Sequence, residues 1–158
     1  MPLYRIAKCF EVEYGHRLSK HPEKCRFPHG HSLKIEVVIR GKELDEHDML
    51  CDYKALKTLV SDLVERLDHA MAFNSEDPCR RGFEGVDDRI LLFEAADPTT
   101  EVLARWLFEG IAARLKKDAW VETPSGTRYH LPPGLKLERI RVWETSTSWA
   151  EYVADEDR

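Results

Sequence analysis

Cys25-Arg26-Phe27-Pro28-His29-Gly30-His31-Ser32-Leu33-Lys34-Ile35-Glu36-Val37-Val38-Ile39-Arg40 begins as a turn rich in metal-binding atoms and runs on as a strand. Leu33, Ile35, Val37 and Ile39 alternate, so they share one face, and His29 and His31 continue that face backwards. Upstream, Phe10-Glu11-Val12-Glu13-Tyr14-Gly15-His16 repeats the pattern, with Phe10, Val12, Tyr14 and His16 on one side. Strands at about 3–16 and 30–42 that pair as a hairpin would bring all three imidazoles to one end of a sheet. Three histidines without a fourth protein ligand suit a catalytic zinc, whose open position is left for water or substrate. A structural zinc is normally closed by four residues.

Beyond this pair, Asp52 stands where a helix cap is needed. Leu56, Leu59, Val60, Leu63, Val64 and Leu67 follow as an amphipathic stripe that ends near Asp68-His69. The stretch 74–88 is rich in Asp, Glu, Arg, Gly and Pro and reads as a loop, and Arg89 to Phe93 reads as a short strand. Asp97-Pro98 is expected to cap a second helix, with Leu103, Trp106, Leu107 and Ile111 on its buried side. Trp120 to Pro133 reads as an irregular or hairpin segment around Pro124-Ser125-Gly126. Two last strands, at about 135–145 and 149–154, are joined by Ser146-Thr147-Ser148. The order β-β-α-α-β-β predicts an α+β domain over residues 1–158: a four-stranded antiparallel sheet with two helices on one face.

The 158 residues, 42% hydrophobic and 34% charged, are enough for one domain with a real core. A net charge of −5 argues against nucleic acid or an anionic membrane surface as a partner of the chain as a whole. No apolar run reaches the length of a membrane span, and Met1-Pro2-Leu3-Tyr4-Arg5 lacks a signal-peptide core. A cytoplasmic protein is expected. Cys9, Cys25, Cys51 and Cys79 form no C-x-x-C pair and read as free thiols, of which only Cys25 neighbours histidines.

Six short segments, in order, resemble the 6-pyruvoyl-tetrahydropterin synthase family, which includes the bacterial 6-carboxytetrahydropterin synthases. They are Phe10-x-x-Glu13-x-x-His16-Arg17-Leu18, Cys25-x3-His29-Gly30-His31, Asp52-Tyr53-x-x-Leu56-Lys57, Leu67-Asp68-His69, Pro98-Thr99-Thr100-Glu101-x-Leu103-Ala104 and Trp143-Glu144-Thr145. The three-residue gap before His29 resembles the carboxytetrahydropterin branch. The resemblance implies the T-fold (tunnelling fold), assembled as a ring, here a homo-hexamer, with active sites between subunits. It implies zinc on His16, His29 and His31, Cys25 as proton acceptor, Asp68 and His69 as a relay, and Glu144 as a catalytic residue that holds the pterin or joins that relay. Thr99 and Thr100 are expected nearby, where the free amides of the second helix's start could bind the pterin's acceptor atoms. The implied substrate is 7,8-dihydroneopterin triphosphate, and the implied product feeds deazapurine synthesis such as the queuosine pathway.

The residue types suit this chemistry. Zinc acidifies a C–H next to bound oxygens. A thiolate removes the proton once its pKa falls towards neutrality. A histidine oriented by aspartate moves a second proton, and a carboxylate accepts paired hydrogen bonds from an amino-pyrimidinone ring. Singly, each feature has a plainer reading: Cys25 as a loop thiol, Asp68-His69 as a helix end, Glu144 as a solvated strand residue, Thr99-Thr100-Glu101 as first-turn residues. The chain also departs from the family pattern. Val102 replaces a usual asparagine, Tyr14-Gly15 replaces a common pair of alanines, and the loops at 74–97 and 117–136 are enlarged. Three functions follow: a lyase forming 6-carboxy-5,6,7,8-tetrahydropterin with loss of acetaldehyde and triphosphate, a 6-pyruvoyl-tetrahydropterin synthase that only eliminates triphosphate, or a non-catalytic zinc- or pterin-binding module.

Overall fold

A computed structural model describes residues 2–115 and 119–155. The first two strands form as the alternation requires: β1 (Tyr4–His16) pairs antiparallel with β2 (His29–Gly41) along their whole length. After α1 (Tyr53–Leu67) come two short strands, β3 (Ala70–Asn74) and β4 (Ile90–Phe93), then α2 (Thr100–Ala112). A small hairpin, β5 (Ala119–Glu122) and β6 (Arg128–Leu131), turns at Gly126, whose φ of 88° is left-handed. The chain ends with β7 (Lys136–Thr145) and β8 (Ser148–Val153).

The main sheet has the order β4-β3-β1-β2-β7-β8. Its β1-β2-β7-β8 block is the expected four-stranded antiparallel sheet. The sheet is larger than that expectation, because β3 joins β1 in parallel and β4 joins β3 in parallel. The fold is α+β, with two main helices on one face. Val12, Leu33, Ile35, Val37, Ile39, Ile140 and Val142 form the inner face, against Leu56, Leu59 and Val60 of α1 and Leu103, Leu107 and Ile111 of α2.

The caps explain where the helices begin. Asp52 caps α1 as expected, its carboxylate accepting from Lys54 N–H at 2.7 Å. At α2 the cap is Thr99, not Asp97: Thr99 Oγ1 accepts from Val102 N–H at 3.2 Å. Asp97 is drawn away by three donors. Ser19 Oγ donates to it at 2.5 Å, Lys20 N–H at 2.7 Å and Asn74 Nδ2 at 3.2 Å. Trp106 is only partly buried; it packs edge-on with Phe93, and the Arg66 guanidinium lies over its ring. No helix among the described residues is long and apolar enough to cross a membrane.

Candidate metal centre and active site

The β1–β2 register sets His16 opposite His29 and Tyr14 opposite His31. Alternation then puts all three imidazoles on the inner face at one end of the sheet. Their ring centroids lie 4.6, 5.1 and 4.9 Å apart, and one ligand atom from each falls within 4.8 Å of the others. Among the described residues this is the group of histidine, cysteine and carboxylate atoms gathered closely enough to hold a metal.

The hydrogen bonds around the rings decide what they can bind. His16 Nδ1 lies 2.8 Å from the Pro98 carbonyl, and His29 Nδ1 lies 2.7 Å from the Phe27 carbonyl. A carbonyl only accepts, so the bonding assigns the ring proton to Nδ1 in both residues. The two Nε2 lone pairs then face each other at 3.0 Å. Two acceptors at that distance repel unless a cation lies between them. His31 Nε2 is buried without a hydrogen-bond partner, with Glu144 Oε1 3.4 Å away. Burial, ahead of the other influences, pulls the pKa of His16 and of His31 below the ordinary imidazole value. Neutral imidazole is the form that ligates metals. The donor set therefore fits a metal that keeps an open position.

Glu144 follows Ile140 and Val142 on the inner face of β7, so it joins the histidines. Thr99 and Thr100 open α2 beside the cluster, because the Pro98 carbonyl before them orients His16. The Thr99 hydroxyl is engaged in capping.

Cys25 sits half-buried in a 3₁₀ turn over Lys24–Arg26, outside the three-nitrogen cluster. That turn is tied down from several sides. Leu18 N–H donates to the Cys25 carbonyl at 3.0 Å, and Arg17 Nε donates to the Arg26 carbonyl at 2.7 Å. The Arg17 guanidinium also pairs with Asp77, whose side chain is fully buried. Burial opposes ionisation of Asp97, but the bonds from Ser19, Lys20 and Asn74 outweigh it and hold its pKa below the usual carboxylate value.

Asp68 and His69 meet each other, with His69 Nδ1 3.1 Å from Asp68 Oδ2. Asp68 Oδ1 accepts from Glu13 N–H at 2.9 Å. That bond, more than His69, lowers the Asp68 pKa. His69 is held at φ 58°, its N–H donating to the Glu13 carbonyl at 2.6 Å. It lines an open depression of about 390 Å³ with Glu13, Tyr14, Gly15, Gly30, His31, Ser32 and Ala70. The depression thus brings His69 beside Glu13 and Ser32, whose side chains hydrogen-bond each other, and beside Tyr14 and His31, which alternate with them along the strands. Asp68-His69 is a formed pair, but it lies outside the three-histidine cluster of its own chain.

Several residues of the site were not singled out as such by the sequence. The Pro98 and Phe27 carbonyls are backbone groups, which residue identity does not reveal. Asp97 carried a signal, but as a helix cap. Tyr14 is 4% exposed, and its hydroxyl has no hydrogen-bond partner. Burial, then the Glu144 carboxylate, pushes its pKa up.

Residues 5–155 match the family described as 6-pyruvoyl tetrahydropterin synthase. The chain belongs to this family. It is 28% identical to the 6-carboxy-5,6,7,8-tetrahydropterin synthase of Aquifex aeolicus, over 94% of this chain and 97% of that protein. It is equally identical, at 28%, to the Haemophilus influenzae protein of the same name, over 95% and 99% of the two chains. The fold matches an uncharacterized Wolinella succinogenes protein with a TM-score of 0.76, at 22% identity over 98% of this chain and 100% of that one. It also matches the Caenorhabditis elegans 6-pyruvoyl tetrahydropterin synthase, with a TM-score of 0.65 and 20% identity over 98% of each chain. These likenesses identify the architecture as the T-fold of this family.

Proposed function

We propose that this protein is a cytoplasmic zinc-dependent carbon–carbon lyase. It converts 7,8-dihydroneopterin triphosphate to 6-carboxy-5,6,7,8-tetrahydropterin, releasing acetaldehyde and triphosphate, for deazapurine synthesis such as the queuosine pathway. The observation that carries the reading is the convergence of two Nε2 lone pairs and one unpartnered Nε2 at a single point. Relatives named for the carboxytetrahydropterin reaction, matched over nearly the whole chain, support the choice of reaction.

In this reading His16, His29 and His31 would hold zinc, which would supply a Lewis acid able to polarise substrate oxygens and acidify the neighbouring C–H. The Cys25 thiolate takes that proton at Sγ. Asp68 orients His69, which moves the second proton. Glu144 accepts paired hydrogen bonds from the amino-pyrimidinone edge of the substrate, beside the start of α2 at Thr99 and Thr100.

His69 lies outside the metal cluster of its own chain; in this reading it serves the cluster of a neighbour, and the working unit is a homo-oligomer, a hexamer. Both edges of the sheet favour association. Leu92 on β4 and Trp149, Tyr152 and Val153 on β8 are exposed apolar residues on strands with an open side.

Incubating the zinc-loaded protein with 7,8-dihydroneopterin triphosphate tests the proposal. Acetaldehyde and the 6-carboxy product are expected in equal amounts. A 6-pyruvoyl product without acetaldehyde would move the protein to the elimination reaction. No turnover of a substrate that binds would make it a binding module.

A further inference from the structure

Two buried polar atoms of the metal pocket lack a hydrogen-bond partner: the Tyr14 hydroxyl and His31 Nε2. Their residues are directly paired across β1 and β2. Beyond His31, Glu144 Oε1 stands 3.4 Å from Nε2. Tyr14, His31 and Glu144 thus form a row across three neighbouring strands, β1, β2 and β7, on the face that carries the cluster. The Tyr14 ring packs edge-on against His16, with centroids 5.5 Å apart.

A phenol O–H this deeply buried has given up water, and leaving such a donor unmatched is costly. With a metal on the three histidines, the His31 Nε2 lone pair is committed and the ring offers Glu144 no proton from that atom. Glu144 then takes its donors from water, a ligand or another side chain, while the buried Tyr14 hydroxyl lacks an acceptor. The Glu144 side chain keeps 26% of its exposure. One carboxylate oxygen can therefore face inward while the other meets a ligand.

We propose that Tyr14 is a positioning residue of this pocket: its hydroxyl donates to the Glu144 carboxylate and fixes it as an acceptor for a planar heterocycle that presents paired N–H groups. The identity of that heterocycle rests on the pterin reading above; the bond between Tyr14 and Glu144 does not.

Infrared spectra of the zinc-loaded protein, labelled with ring-¹³C tyrosine, test the bond directly. Subtracting the spectrum of Tyr14→Phe isolates the Tyr14 C–O band. That band is expected at the position of a hydrogen-bond donor and is expected to move when Glu144→Ala removes the acceptor. A band that stays in place overturns the proposal, and so does loss of zinc from Tyr14→Phe, which would make the phenol a ligand. A double-mutant cycle read by neopterin affinity gives the functional consequence. Tyr14→Phe is expected to weaken binding about tenfold with Glu144 present and by no more than about twofold in Glu144→Ala. Equal losses in both backgrounds also overturn it, because the hydroxyl would then act without Glu144. Wild-type protein that binds no neopterin would defeat the pterin reading, and the infrared shift alone would then decide the role of Tyr14.

Discussion

The inner-face histidines and His69 belong to one chain but are built in opposite ways. His16, His29 and His31 are shielded, and carbonyls orient two of them with Nε2 towards the others. Burial favours neutrality in His16 and His31, the state that suits a metal. The His69 side chain is 73% exposed, lies against the Asp68 carboxylate, and stands outside the three-histidine cluster in a left-handed backbone conformation. The contrast is what the proposed function requires: a ligand set complete within one chain, and a proton-handling pair that serves another.

Removing a ligand should have the largest effect. His29→Ala and His31→Ala are each expected to lose bound zinc and, with it, all measurable turnover, while His69→Ala keeps the metal in full. Elemental analysis of purified protein reads this directly. Equal zinc in all three variants would erase the distinction between the two regions.

Cys25→Ala comes next. The thiol lies outside the three-nitrogen cluster, so zinc content should hold while turnover falls by ~10²–10⁴-fold, the usual contribution of a general base. Loss of zinc instead would make Cys25 a ligand, and an unchanged rate would leave the thiol without a role.

The third test addresses whether the two regions meet between chains. Cys25→Ala and His69→Ala should each be inactive alone. Unfolded together and refolded as a mixture, they should recover activity, since about one site in four would combine two intact halves in a randomly mixed ring. Recovery requires that Cys25 and His69 of one site come from different chains. A mixture as inactive as its parts would place both in the same chain.

How far the fold was legible follows from the same strands. Alternation in β1 and β2 revealed the histidine face, because one side of those strands is apolar and their hairpin pairing fixes the register. β3 left no such trace. Ala70-Met71-Ala72-Phe73-Asn74 is short, contains two alanines, and lies between parallel neighbours, where strands need not alternate. Missing it also hid the reason that Asp68-His69 lies beside Glu13: Ala70 pairs with Tyr14. Asp97 was visible as a residue with a task, but the task depended on Ser19, Lys20 and Asn74, which are distant in sequence. The ligands could be read because their spacing is local, whereas the groups that orient them are backbone atoms or partners far along the chain.

The smallest expected effect concerns Asp97, which ties the segment after His16 to β3. Its carboxylate accepts from Ser19, Lys20 and Asn74 while only 8% exposed. Asp97→Asn should lower stability at neutral pH by about 1–2 kcal/mol, the scale of hydrogen bonds that lose a charged acceptor. The sign of the pH dependence follows from linkage. The folded pKa lies below the unfolded value of ~3.9. The contribution of ionised Asp97 is therefore complete above that value and is lost as the pH falls through the lower, folded one. Wild-type protein and Asp97→Asn should thus differ by a constant amount from neutrality down to about pH 5 and converge below about pH 4. Urea unfolding of both proteins at equal concentration, with metal removed so that histidine protonation does not release it, measures the gap. A difference that persists unchanged into strong acid would show that the carboxamide disturbs packing, and that the charge of Asp97 does not hold the segment.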